Sequence, residues 1–213
     1  MKVAFIILLA CMSLLIASPF DAYAHEEYEI SSYDVVIIPL GGTVANGTVT
    51  IDVIAYGPAT MQLSFGYPLD NPTVSSESAI EYTYESGGDV SYIDVYFSVA
   101  GEYELSLSYT ANMFSSVENG KYVYAPTFSF YNTVPKFSCK VIVPESMSVV
   151  SPLVPTPQSS FSEGSSLVVL WEKTNVENGL YLLLGLKEDS SSPCLAWYYI
   201  VLIVMFFFGI GAI

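Results

Sequence analysis

Arginine is absent from this 213-residue sequence, and all six basic residues are lysines, against 21 acidic residues. The formal net charge is −15. Proteins that bind nucleic acid present basic surfaces and use the guanidinium fork for bidentate contacts with phosphate and guanine. The composition therefore excludes nucleic acid as a partner, and it favours the solubility of an exported, exposed domain.

Histidine is nearly absent, because His25 is the single one. Serine–histidine and cysteine–histidine catalysis, and zinc sites with two or three histidines, cannot be built within one such chain. The sequence predicts no enzymatic activity and no bound cofactor. One alternative stays open: after cleavage behind Ala24, His25 would offer its α-amine and imidazole to copper, with the other ligands coming from a partner subunit.

Cysteine is also scarce, with three residues in all. Cys11 lies in the apolar leader, where Leu8 to Cys11 resembles a bacterial lipobox, although the apolar run continues past it. Cys139 and Cys194 lie downstream of the leader, and the sequence leaves open whether they are bonded. A disulfide scaffold is excluded, so burial of apolar side chains has to stabilise the fold.

The N-terminus has the layout of a secretory signal peptide. Lys2 precedes an apolar run over 3–17, and the triplet Ala22-Tyr23-Ala24 provides small residues for cleavage after Ala24. Residues 1–24 are therefore predicted to be removed, which makes His25 the first residue of the mature chain. An uncleaved N-terminal anchor is the alternative.

The C-terminal stretch 195–213 contains no charged residue. A helix of this length rises about 28 Å, close to the hydrocarbon thickness of a bilayer. Trp197, Tyr198 and Tyr199 stand at its start, where aromatic rings favour the membrane interface. The sequence predicts a single-pass anchor in membrane lipid, with the N-terminus outside the cell. Small residues over 190–192 leave a glycolipid-anchor signal as an alternative.

Between these segments the sequence reads as successive β-strands, since apolar and polar residues alternate with period two and no helical period is sustained. We predict an all-β, antiparallel β-sandwich ectodomain, either one elongated sandwich or two in tandem, with a first region over 25–118 and a membrane-proximal region over 119–190. The predicted strands span 28–38, 48–56, 61–67, 80–85, 90–99, 102–109, 122–124, 128–131, 137–143, 167–171 and 180–186.

Turn-forming residues separate these strands. We predict a polar loop over 68–78, a hairpin through Gly87-Gly88-Asp89, and a stiff proline-rich connector over 143–162 that cannot be a central strand. The last two predicted strands are continuous apolar runs, joined as a pair through a turn at Asn178-Gly179, and should be either buried on both faces or packed near the bilayer. The sequon Asn46-Gly47-Thr48 lies at a predicted turn, where a glycan on Asn46 is accommodated.

The segment over 100–107, Ala-Gly-Glu-Tyr-Glu-Leu-Ser-Leu, resembles a strand entry of exported immunoglobulin-like and fibronectin-like sandwiches. The resemblance implies that Tyr103 packs at a corner and hydrogen-bonds back to the chain. The segment over 137–186 resembles membrane-proximal β-domains of archaeal surface proteins, in which a strand ending Val-x-Val-Pro precedes a proline-rich turn and a short strand with tryptophan. That resemblance implies an archaeal envelope protein.

Acidic and aromatic side chains supply the other candidate sites. Glu81, Glu85, Asp89 and Asp94 could pair as carboxylates, but alternating acids on a strand indicate its solvated face. The seventeen tyrosines suit a sandwich core better than a carbohydrate site. The exception is a run on an exposed edge, for which the candidates are Tyr82, Tyr84 and Tyr92.

These observations predict a non-catalytic, membrane-anchored extracellular protein that serves as a structural or adhesive component of the cell surface, with a protein partner there. The alternative is an accessory ectodomain of a multi-subunit membrane enzyme, to which His25 would contribute the copper ligand.

Overall fold

A computed structural model describes residues 27–117, 120–130, 132–177 and 179–189, and these are all-β, without a helix. The predicted signal peptide, His25, Cys194 and the stretch 195–213 with Trp197, Tyr198 and Tyr199 lie outside the described residues. Within the described ranges there is no helix of the length and hydropathy that a membrane crossing needs.

Sixteen strands follow one another along the described ranges. They are β1 Tyr28–Gly41, β2 Val44–Ala55, β3 Ala59–Phe65, β4 Leu69–Ser76, β5 Glu81–Ser86, β6 Ser91–Phe97, β7 Gly101–Asn112, β8 Phe114–Val117, β9 Lys121–Tyr124, β10 Thr127–Phe128, β11 Val134–Val143, β12 Met147–Val154, β13 Ser159–Glu163, β14 Ser166–Val176, β15 Leu180–Tyr181 and β16 Leu183–Glu188.

Seven of the strands form one sheet, here called the large sheet, in the order β13-β14-β11-β1-β2-β7-β4. Its pairings are antiparallel except for β1 and β11, which run parallel with Ser32 opposite Lys136. Strands from both predicted regions, 25–118 and 119–190, thus hydrogen-bond in the same sheet. The regional boundary itself stays a prediction.

The other strands form a three-stranded sheet, β3-β6-β5, a four-stranded sheet, β12-β16-β9-β8, and the short pair β10-β15. We call the three- and four-stranded sheets together the split layer. Buried side chains of the large sheet and of the split layer belong to one hydrophobic core, as in a β-sandwich. In the split layer β3 and β8 are both edge strands.

Strict alternation explains why most predicted strands are present. In β3 every second residue is buried, from Ala59 to Phe65, and in β7 the predicted face of Tyr103, Leu105, Leu107 and Tyr109 is buried. The hairpin between β5 and β6 is confirmed, with the Gly87 amide donating to the Val90 carbonyl oxygen at 2.8 Å. Burying one apolar face per strand is what drives these segments into sheets.

The predicted loop over 68–78 is instead strand β4, which pairs with β7 at the edge of the large sheet. Its register shifts between Asp70 and Thr73, and Asn71 has a positive φ of 50°. An edge strand needs few apolar residues and tolerates Pro72 at such a bulge. The polar composition therefore concealed a strand.

The proline-rich segment over 143–162 contains two strands, β12 and β13, and so is not a mere connector. Each lies at the edge of its sheet, so the expectation that these prolines exclude a central strand is confirmed. Pro152 lies in the register shift of β12 between Val150 and Leu153, where a missing amide breaks no regular pairing.

We expected the two apolar runs near 167–171 and 180–186 to pair through the turn between them, and this prediction is wrong. β14 pairs with β11 and β13, whereas β16 pairs with β12 and β9. Burial on both faces is confirmed for the central residues of each run, Val168 and Val169 of β14 and 184–186 of β16, whereas Tyr181 in the second run is 50% exposed.

Candidate binding cavity between the sheets

A cavity of about 670 Å³ opens between the large sheet and the split layer. Its volume falls in the range of small-molecule sites in proteins. Its buried wall includes Tyr33, Met61 and Tyr109, while Gln62, Ala125 and Ser129 lie at its exposed mouth. The cavity is therefore a cleft that reaches from solvent into the core.

Two strand edges border the cleft. All residues from Met61 to Tyr67 line it, and so do Asn112 to Ser115, which include the start of β8. Side chains of successive strand residues point to opposite faces, so an unbroken run of lining residues means that the strand presents its backbone edge. β3 and β8 each pair with a single neighbour, β6 and β9.

Aromatic residues are the largest class in the wall, ten of its 24 residues. Near β3, Phe65 lies 5.3 Å from Tyr109 and 6.1 Å from Tyr67, measured between ring centroids. Across the cleft, Tyr33 packs edge-on against Phe130 at 5.1 Å. The lining rings are Tyr28, Tyr33, Phe65, Tyr67, Tyr92, Tyr109, Phe114, Tyr124, Phe128 and Phe130. Such rings offer a large apolar contact area at low conformational cost.

Three phenol groups in this wall make only one hydrogen bond among the described residues. The hydroxyls of Tyr67 and Tyr109 share one hydrogen bond at 3.3 Å. The buried Tyr124 hydroxyl has no hydrogen-bond partner among the described residues. Each phenol carries one O–H proton. Two of the three protons therefore have no acceptor among the described residues, and for the buried Tyr124 hydroxyl an unpaired donor costs about 1 to 3 kcal/mol.

Burial keeps these phenols neutral. Desolvation raises the pKa of Tyr67 to about 12, opposed in part by its hydrogen bond with Tyr109. Desolvation also raises the pKa of Tyr33, Tyr109 and Tyr124 above the ordinary range, with a smaller contribution from the neighbouring phenols. The nearby Tyr124 hydroxyl also lowers the pKa of Tyr67, although the two make no hydrogen bond of normal geometry. The site thus presents neutral donors.

No lining residue is charged, although the whole chain carries a formal net charge of −15. A small inorganic ion or a zwitterion would lose its hydration there without gaining a charged partner. The wall therefore suits an uncharged ligand that is largely apolar and carries at least one hydrogen-bond acceptor.

The sequence-predicted sites lie elsewhere. Asn46 is exposed but sits inside β2, in the middle of the large sheet, and its Oδ1 accepts a hydrogen bond from Thr110 at 2.9 Å. The predicted turn is wrong. The residue at position 47 is glycine because a Cβ there would lie 2.5 Å from Cζ of Tyr109. Gly47 makes room for the Tyr109 ring.

Tyr103 is buried, and its hydroxyl donates a hydrogen bond to the carbonyl oxygen of Val99, at 2.9 Å. Cys139 is a buried free thiol among the described residues, and desolvation raises its pKa to about 12. No group of three or more acidic, histidine or cysteine side chains in the described ranges is placed to hold a metal ion.

The acidic candidates lie on the β3-β6-β5 sheet. Glu81 and Glu85 are exposed opposite Tyr96 and Tyr92, and Asp94 accepts a hydrogen bond from Gln62 at 2.8 Å. Asp89 is in the hairpin turn.

Of the candidate tyrosines, Tyr84 turns inward and donates to the Leu69 carbonyl oxygen at 2.7 Å, whereas Tyr82 and Tyr92 are 40% and 39% exposed. They do not form one run along an edge, since Tyr82 is on β5 and Tyr92 on β6.

Sequence reasoning missed the convergence of Tyr33, Tyr67, Tyr109 and Tyr124. Period two placed Tyr109 on an inward face, but it could not show that Tyr67, just beyond β3, and Tyr124, at the end of β9, meet it. Tyr109 and Tyr124 belong to different sheets, and Tyr67 lies in the loop between β3 and β4. Inward-facing tyrosines at the ends of predicted strands were the available signal.

No family model matches the sequence, and no curated protein matches it. Among solved structures, a putative nutrient binding protein from Legionella pneumophila matches with a TM-score of 0.56 and 10% identity, over 76% of this chain and 67% of its own. An M1 zinc metallopeptidase from Deinococcus radiodurans matches with a TM-score of 0.44 and 14% identity, over 76% of this chain and 43% of its own. The chain thus spans less than half of that enzyme, and at this TM-score we infer nothing from the match. The likeness to the Legionella protein shows a shared fold.

Proposed function

We propose that this chain is a non-catalytic, exported binding protein, held at the outer face of a membrane by residues 195–213, and that its cavity takes up an uncharged, largely apolar ligand. The observation that carries the proposal is the charge-free aromatic cleft of about 670 Å³ with two unplaced phenol protons at its wall. The name of the Legionella neighbour, a putative nutrient binding protein, gives further support.

A binding role fits the lining better than a catalytic one. Every ionisable group in the wall is a phenol, and burial holds the pKa of Tyr33, Tyr67, Tyr109 and Tyr124 far above neutral pH. General acid–base catalysis favours groups whose pKa lies near the working pH. Among the described residues, nothing favours adhesion or an accessory-subunit role over uptake of a ligand.

The binding test uses the full-length chain in lipid nanodiscs, with empty nanodiscs as the blank. Acetophenone, which is apolar and carries one carbonyl acceptor, should bind more tightly than ethylbenzene, and benzoate should bind least. Calorimetry and ligand-detected NMR measure these affinities. In Tyr124→Phe the preference for acetophenone over ethylbenzene should fall by about threefold to tenfold, since one donor is lost.

A second variant blocks the cleft. Ala125 lies exposed at the mouth, so Ala125→Trp places a large ring there without disturbing a buried side chain. Binding of all three probes should be lost while the melting temperature stays near that of the wild type. Equal binding by wild type and Ala125→Trp would refute uptake in this cleft.

Attachment to the membrane has its own test. The full-length chain should stay in the membrane pellet after alkaline carbonate extraction, and a chain that ends at Ser190 should be found in the soluble fraction. Recovery of the full-length chain in the soluble fraction would contradict the anchor.

A further inference from the structure

The cleft interrupts the split layer between two strand edges. β3 pairs with β6 on one side, and its other edge lines the cleft; β8 pairs with β9, and its first residues line the opposite side. Among the described residues, no strand pairs with β3 on its cleft side. An edge strand presents alternate amide N–H and carbonyl groups that another chain can pair with.

From this geometry we propose, resting on the binding function above, that the ligand is an extended, uncharged peptide segment of a partner protein, which adds to β3 as a new strand. Strand addition to an exposed sheet edge is a common mode of peptide recognition, in which backbone hydrogen bonds supply affinity and alternate side chains supply specificity. β3 has seven residues, a length of about 23 Å at the usual strand rise.

The walls suit such a strand. Alternate side chains would point toward the aromatic rings of Phe65 and Tyr33 and bury apolar area, while the others would face the mouth. Peptide carbonyl groups are strong acceptors, so one of them can pair with an unplaced proton of the Tyr67, Tyr109 and Tyr124 hydroxyls.

The charge of the protein further limits which side chains the bound peptide can carry. The lining has no cation for an acidic side chain and no carboxylate for a basic one, so either charge would lose its hydration without a partner, and the net charge of −15 also repels acidic segments. The segment is therefore uncharged where it lies in the cleft, with apolar residues at every second position.

The experiment offers a mixture of 64 capped heptapeptides to the full-length chain in nanodiscs. Positions two, four and six vary among Val, Leu, Phe and Tyr, and the remaining positions are Thr. Affinity selection read by mass spectrometry should retain a subset on the wild type and none on Ala125→Trp or on empty nanodiscs. Retention of no peptide by the wild type would overturn the proposal.

Backbone methylation then tests strand addition. The best retained peptide is made in two forms, with N-methyl groups on the odd or on the even residues. Only one set of amides can face β3, so one form should lose at least about tenfold in affinity and the other less than about threefold. Equal losses in both forms would contradict pairing with an edge.

The outcomes separate the two proposals. Acetophenone binding without any peptide binding would leave uptake of a ligand standing and refute the peptide. Binding of neither probe would refute both. A native mass spectrum showing a wild-type dimer that Ala125→Trp abolishes would assign the cleft to a second copy of this chain, and would overturn the partner peptide.

Discussion

The large sheet and the split layer cover the same core in different ways. The large sheet is continuous across seven strands, and each of its inner strands is hydrogen-bonded on both sides. The split layer has the same total number of strands, three in one sheet and four in the other, but leaves β3 and β8 as edges at the cleft. The large sheet is thus a closed wall of the core, whereas the split layer leaves the opening in which we propose that a ligand binds.

The strongest test of this comparison is alkaline pH, because the titrating groups lie where the two layers meet. Folding raises the pKa of Tyr67 from 10.0 to about 12 and that of Cys139 from 9.0 to about 12, and it raises those of Tyr33, Tyr109 and Tyr124 as well. Stability from these groups is complete below about pH 9 and is lost as pH rises through the folded pKa values.

Each such group should lower the free energy of unfolding by about 1.4 kcal/mol per pH unit once its unfolded form ionises. Urea unfolding followed by circular dichroism between about pH 8 and 11 measures the loss. Tyrosinate absorbance of the buried phenols should appear together with unfolding. Ionisation of all tyrosines near pH 10 in a folded chain would show that the core between the layers is open to water.

A matched pair of leucines compares the layers directly. Leu105 in β7 is 1% exposed and does not line the cleft, whereas Leu63 in β3 is 7% exposed and does. Leu105→Ala should cost about 3 to 5 kcal/mol of unfolding free energy, because it leaves a new cavity in a packed core. Leu63→Ala should cost about half as much, because its side chain already borders empty space. Urea unfolding of both variants measures the two losses of unfolding free energy, and equal losses would contradict the proposed difference between the layers.

Gly47 tests how tightly the large sheet packs against the phenols. Gly47→Ala would place a methyl group 2.5 Å from Cζ of Tyr109, so the ring must move. We expect a loss of about 1 to 3 kcal/mol, typical of an overpacked core, measured by thermal unfolding. Gly57→Ala is the control, since a Cβ there meets nothing within 4 Å. A neutral Gly47→Ala would mean that the Tyr109 ring moves freely.

Two hydroxyls connect the two layers near β5: the Leu69 amide of β4 donates to Oγ of Ser91 in β6 at 3.1 Å, and Tyr84 makes the second contact. Tyr84 of β5 donates to the carbonyl oxygen of Leu69 in β4, at 2.7 Å. Tyr84→Phe should lower the free energy of unfolding by about 1 kcal/mol, the usual value of one such bond. Tyr82→Phe, on the same strand and 40% exposed, should change it little. Chemical unfolding of the two variants in parallel gives the difference, and equal effects would exclude this tie.

The smallest effect is expected at the surface of the large sheet. Lys140 and Glu163 form an ion pair at 3.1 Å, with side chains 32% and 61% exposed. Lys140→Ala should change the free energy of unfolding by less than about 0.5 kcal/mol, because exposed pairs contribute little. A larger loss, measured by urea unfolding in low and high salt, would show that this sheet depends on its outer face.

Much of the large sheet could be predicted from the sequence, because strands with one buried face carry a period-two pattern. The pattern identified β2, β7 and β11, including the buried faces of Leu105 and Cys139. It failed at β4, whose edge position needs few apolar residues, and at Asn46-Gly47, where a glycine that fits a ring looked like a turn.

Pairing between distant strands could not be predicted, since alternation fixes which face is buried and not which strand lies alongside. The cleft depends on this pairing: Tyr67 and Tyr124 reach Tyr109 only because β3 and β9 end where they do. The predicted membrane segments, with His25 and Cys194, lie outside the described residues and stay predictions.

The parallel contact of β1 with β11 has a consequence for synthesis. Ser32 pairs with Lys136, so a central strand made near the start of the chain waits for a neighbour made 104 residues later. Until β11 is synthesised, the backbone groups on one side of β1 are unpaired and can hydrogen-bond with a strand of another chain. Contacts so distant in sequence also form slowly. We therefore expect shortened products that end before β11 to aggregate through the unpaired edge of β1.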